Sequence, residues 1–157
     1  MRTPTWLLAG TFLGLSAAAV GAVTKATDSR WLTGADETTR VERLEHYLGG
    51  FSSAMLETGL RFEHVRQAVR DGNLELAHYH WGKIATAVEN GLMKRPARRP
   101  SAEAIFLGRP WEALDQALAR KDAGAAVDAL REAGAACRAC HVAERVPFMN
   151  DQPLLRE

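Results

Sequence analysis

Between Leu44 and Val69 apolar residues recur at alternating intervals of three and four, through Leu48, Phe51, Met55, Phe62 and Val65, with Thr58 in the one gap. Residues three and four apart share one side of an α-helix, whereas a half-buried strand alternates every second residue. The helical rhythm returns in Ala77, Trp81, Ile84 and Val88, then in Trp111, Leu114 and Leu118, and last in Val127, Leu130, Gly134, Cys137 and His141. No stretch alternates as a strand would, and no internal repeat is present. The expected fold is all-α, an up-down-up-down four-helix bundle preceded by an N-terminal signal or anchor helix.

Punctuation along the chain sets the expected helix ends. Asp36 suits an N-cap, and helix A is expected from Glu37 to Arg70, weakened at Gly49-Gly50. Gly72 and Asn73 supply a stop and a new N-cap for helix B, about Leu74 to Met93. The basic run Lys94 to Pro100 holds two prolines and reads as an exposed loop, able to dock an acidic partner or anionic lipid. Ser101 caps a short turn through Leu107, Pro110 suits the start of helix C, and Asp122 caps helix D, which ends by Pro147.

Before the bundle come Arg2, an apolar run from Trp6 to Val23, and small residues suited to cleavage after Ala22 or Ala26. This pattern is that of a secretory signal, long enough also to serve as an uncleaved anchor. The expected organisation is therefore a signal or anchor over 1–26, a linker over 27–36, the helical domain over 37–148 and a tail over 149–157. The domain is expected outside the cytoplasm, in the periplasm, free or held at the inner membrane. With 157 residues and a net charge of +1, the chain suits one modest domain and gives no reason to expect nucleic acid.

The chemistry is concentrated in Cys137-Arg138-Ala139-Cys140-His141. Two thiols three residues apart on a helix face the same way and can both add to the vinyl groups of one porphyrin, with the next imidazole ligating the iron. Cys-x-x-Cys also occurs in thioredoxin-like redox pairs and as half of a zinc site. The first needs strands around it and the second another ligand pair, and neither is evident. These are the chain's two cysteines, and thioether attachment of one haem c uses both.

A late motif of this kind on the last of four helices resembles the class II c-type cytochromes, the cytochrome c prime family, over residues 37–148. Arg145, four residues after the histidine, and a methionine in helix A fit the resemblance; Glu144 stands where the family often has an aromatic residue. The text around Arg61-Phe62 and Asn73 to Ala77 is also similar to small exported bacterial haem proteins. The resemblance implies one covalent haem c, His141 as proximal ligand, a helix A residue on the distal side and a tendency to form homodimers. In class I cytochromes c, by contrast, the motif comes early and the distal methionine follows far downstream; here Met149 is the one methionine after His141.

The sixth ligand separates two functions, because a His/Met pair favours electron transfer while an open distal site binds small gases. If helix A runs antiparallel to helix D, His141 lies level with about Ser52, three residues or roughly 4.5 Å from Met55. Met55 shares the face of Leu48 and Phe62, so it points inward, as core packing alone would also require. Level and resemblance together select Met55 as the distal ligand. His46 and His64 face away from that stripe, His78 and His80 start helix B at the far end, and Met93 lies off the apolar face. Arg61, Arg138 and Arg145 are candidates to pair with haem propionates.

The expected function is an exported monohaem cytochrome passing single electrons between redox partner proteins, with Cys137, Cys140, His141 and Met55 as cofactor-binding residues. The alternative is a five-coordinate protein taking nitric oxide or carbon monoxide, with Phe51 or Leu48 crowding the distal face. A haem-free helical interaction module is the third reading. No catalytic carboxylate pair, nucleophile triad or phosphate-binding glycine loop points to an enzyme.

Overall fold

The computed structural model describes residues 31–156, which are helical with no strand among them. The expected signal or anchor, and residues 27–30 of the linker, lie outside the described residues. Among those described, no helix is long and apolar enough to cross a membrane. Six α-helices follow in order: α1 Glu37–Leu48, α2 Phe51–Arg70, α3 Leu74–Lys94, α4 Arg99–Ile105, α5 Arg109–Ala119 and α6 Ala123–Ala143. Short 3-10 turns cover Pro96–Arg98, Pro147–Asp151 and Pro153–Leu155.

The single helix expected over 37–70 is two. Gly49 ends α1 at φ +66°, a left-handed conformation open to glycine at little steric cost, and Gly50 is extended. The last carbonyl of α1, at Leu48, instead accepts from Ser53 Oγ at 3.0 Å and Lys94 Nζ at 2.7 Å. The break removes the early part of the apolar stripe from the core: α1 buries no residue, and Leu48 is 55% exposed. Leu48 therefore cannot crowd an interior distal face as expected.

The caps at Asp36, Asn73 and Asp122 form as their sequence positions suggest, each side chain accepting the backbone N–H three residues on. Helices α2, α5 and α6 all stop in the same way. A residue with positive φ (Gly72, Lys121, Arg145) follows the cap, and its own N–H and that of the residue after it turn back to the helix's last carbonyls. Two of these three left-handed positions carry side chains, which cost about 1–2 kcal/mol each relative to ordinary helical backbone.

The basic stretch expected as an open loop is largely folded. It forms a 3-10 turn and the start of α4, and Ser101 lies inside α4 rather than capping it. Arg99 pairs with Glu89 at 2.8 Å and Glu103 at 3.2 Å, and Arg98 with Glu144 at 3.4 Å. The Arg99 pairs are largely solvent-exposed and fix the path of the chain more than they stabilise it, whereas the Arg98 pair is partly buried.

One core unites α2 to α6. Trp81, fully buried, lies at its centre, stacked on Trp111 at 4.2 Å and met edge-on by Phe106 at 5.8 Å. Its indole N–H donates to the Trp111 carbonyl at 3.3 Å. Gly91 lets α2 and α3 close up: a Cβ there would stand 3.0 Å from Ala54 Cβ and 3.1 Å from the Phe51 ring. Helix α6 contributes alanines, with Ala126, Ala129, Ala133 and Ala136 all buried.

The stripe expected to face inward, Val127 to His141, lies on the shoulder of α6. Val127 is exposed, Leu130, Cys137 and His141 are half-buried, and only Gly134 is buried. Nor is 148 an edge of the packed structure, because the chain doubles back and buries Leu155. Lys121→Gly should raise stability by about 1 kcal/mol by relieving its left-handed backbone, read as a higher denaturation midpoint at unchanged slope. Trp81→Ala should cost about 3–5 kcal/mol in the same measurement.

Candidate functional site

Cys137 and Cys140 sit one turn apart near the end of α6, and both thiols are free. Residues three apart are neighbours on a helix surface, so one planar group can engage both. Burial pushes the Cys137 thiol up to about 12, with the neighbouring Cys140 adding to the effect. Cys140 is also raised, by burial and then by the Glu144 carboxylate, against the opposing pull of Arg98. Both are therefore protonated near neutral pH, unlike the thiolates of disulfide-exchange motifs.

His141 follows on the same turn, half-buried, with Nδ1 2.8 Å from Asn150 Oδ1. Asn150 reaches it because α6 ends at the left-handed Arg145 and the chain returns along the helix through the turn at Pro147–Asp151. The strap continues to Leu154 and Leu155, whose carbonyls accept from Arg66 on α2 and Arg138 on α6, the latter at 3.1 Å. It thereby bridges α2 and α6, which otherwise touch sparingly. The gap between them holds a cavity of about 200 Å³, lined by Phe62, Leu130, Gly134 and Leu154 together with Arg66, Arg131, Arg138 and Arg156.

Two contacts fix how α2 lies along α6. Phe62 Cζ stands 3.9 Å from where a Gly134 Cβ would be, so these positions face each other. Nearer the other end, Arg98 lies 4.6 Å over the Phe51 ring and pairs with Glu144, tying the start of α2 to the end of α6. The helices thus run in opposite directions. Met55 precedes Phe62 by seven residues and His141 follows Gly134 by seven. Seven residues return a helix to within roughly 20° of the same face. Counted along each helix, Met55 and His141 therefore come to about one level, Met55 on the α2 face that carries Phe62 and His141 on the α6 face that carries Gly134. Met55 is half-buried and packs against the same core as Cys137.

The other sequence candidates fall elsewhere. Arg61 is engaged with His80 at 3.2 Å and Glu57 at 3.5 Å on the α3 side of α2. Arg145 is exposed, and Arg138 alone of the three lines the cavity. His46 and His64 are exposed, and Met93 is 71% exposed. His64 stacks on His80 at 4.8 Å; burial, then His64 and Arg61, hold the His80 pKa below its ordinary value. His78 pairs with Asp115 at 3.1 Å.

These residues fit a porphyrin attached at α6. They supply two free thiols and an imidazole held through Nδ1; the cavity, which reaches α6 at Gly134 and Arg138 and is lined by neither thiol, nor by His141 or Met55, adds arginines suited to carboxylates. Among the described residues no three His, Cys, Asp or Glu side chains gather as a metal site, so the four-ligand cage of a structural zinc is not assembled there. Asn150 is the member of this cluster that sequence spacing missed, since its approach depends on a chain reversal. No protein family, curated protein or solved structure matched the chain. In the chain without an attached group, limited alkylation at pH 8 should modify Cys140 before Cys137, as peptide mass spectrometry would show; equal rates would refute the difference in burial.

Proposed function

We propose that the chain is a c-type haem protein, an up-down-up-down bundle of the cytochrome c prime kind built on α2, α3, α5 and α6. Cys137 and Cys140 would hold one haem c by thioether bonds and His141 would ligate its iron. More narrowly, it is an exported periplasmic carrier of single electrons between redox partner proteins, with Met55 as the second axial ligand. The observation that carries this reading is the register of α2 on α6, in which Phe62 meets Gly134 and Arg98 links Phe51 to Glu144, so that Met55 comes to about the level of His141.

The bound group would supply the redox chemistry, and the protein's part is to hold and shield it. The neutral imidazole and thioether pair favours the reduced iron, and an apolar surround raises the potential further. Arg66, Arg131, Arg138 and Arg156 line the cavity and would offer their guanidinium groups to propionates brought there. Strap residues Leu154 and Leu155 add apolar lining to the same gap.

Two measurements test this. Co-expression with a haem-attachment system in an exporting host should give a mass increased by one haem, and Cys137→Ala with Cys140→Ala should abolish it. Met55→Ala should convert the ferric spectrum from low-spin to high-spin and admit carbon monoxide to the ferrous form. A spectrum left low-spin in that variant would remove Met55 as ligand. Ready uptake of carbon monoxide by the unaltered protein would favour the five-coordinate, gas-binding alternative.

A further inference from the structure

We infer that Asn150 is the positioning residue of the His141 imidazole, fixing its tautomer so that Nε2 carries the free lone pair. The inference rests on the haem reading for its function but on the hydrogen bonds alone for its structure. Asn150 makes two contacts from one amide: Oδ1 lies 2.8 Å from His141 Nδ1, and Nδ2 donates to the Arg138 carbonyl at 3.2 Å. A backbone carbonyl only accepts, so the second contact decides which end of the amide is nitrogen. The oxygen therefore faces the ring, and an amide oxygen also only accepts. Nδ1 must carry the proton, which leaves Nε2 unprotonated in the neutral ring.

The arrangement ties the ring to its own helix through the strap, because Arg138 and His141 are both on α6. The strap is in turn fixed by the Arg66 and Arg138 contacts to Leu154 and Leu155 and by the burial of Leu155. The acceptor is an amide rather than a carboxylate, a choice with a chemical consequence. A carboxylate would draw the Nδ1 proton harder, make Nε2 more basic and stabilise ferric iron. A neutral acceptor orients the ring without that push and so keeps the potential high, as suits a carrier whose other ligand is a thioether.

The test compares Asn150→Asp and Asn150→Leu in the haem-loaded protein. Asp should lower the midpoint potential and raise the iron–imidazole stretching frequency of the five-coordinate ferrous form, generated in the Met55→Ala background. Leu should move both in the opposite direction. Loss of packing alone would shift the two variants alike, so equal shifts, or none, would overturn the inference. Nitrogen-15 NMR of the full chain without haem reads the structural half independently. His141 should be the Nδ1–H tautomer in the unaltered chain and return to the Nε2–H form favoured by free imidazole in Asn150→Leu. An Nε2–H ring in the unaltered chain would refute the inference even where haem is attached. Failure to attach haem, with the Nδ1–H form present, would instead refute the haem reading and leave the positioning intact.

Discussion

The burial of Trp81 is the interaction on which the rest of the structure depends. Its indole meets rings from α2 (Phe62), the end of α4 (Phe106) and α5 (Trp111), so one side chain of α3 ties together elements that the sequence separates by short turns. Its one polar atom is satisfied by the Trp111 carbonyl, so no hydrogen-bonding group is left stranded in the apolar interior. Offset and edge-to-face contacts of this kind add to what area burial alone supplies. Against a core filled so heavily by α3 and α5, α6 buries only alanines and Gly134.

That division of volume shapes the site. Because the inward face of α6 is Ala126, Ala129, Ala133 and Ala136, the larger and more reactive residues of the helix fall on its shoulder, toward α2. There the two helices diverge enough to leave a cavity, which the returning strap partly fills with Leu154 and Leu155. Cys137 packs against the core, and Cys140 and His141 follow it, half-buried, toward the end of the helix. A group attached there can be shielded from water without displacing the aromatic centre.

Much of the helical plan was legible because it is written in local terms. The caps at Asp36, Asn73 and Asp122 and the stop at Gly72 need only a few adjacent residues, and they form where the chain suggests. The split at Gly49-Gly50 was visible as a weakness but not as an end, since two glycines in a helix are tolerable unless another contact favours a break. Here Ser53 and Lys94 take over the Leu48 carbonyl and make the break the better state. The stops at Lys121 and Arg145 were less legible, because residues with side chains seldom adopt positive φ.

The sequence by itself determined the helical class, the pairing of two thiols with an adjacent imidazole on one turn, and the presence of a methionine seven residues before Phe62. Periodicity and spacing are properties of a single helix and need no partner. Only the tertiary structure decided which face of α6 turns inward, because the stripes Ala126 to Ala136 and Val127 to His141 are equally regular within the helix and the choice between them depends on its neighbours. It also decided the register that brings Met55 level with His141, and the reversal at Arg145 that returns Asn150 to the ring. The register is set by contacts between segments far apart in the chain, and the reversal, though local, turns on a left-handed conformation at Arg145 that a residue with a side chain seldom adopts.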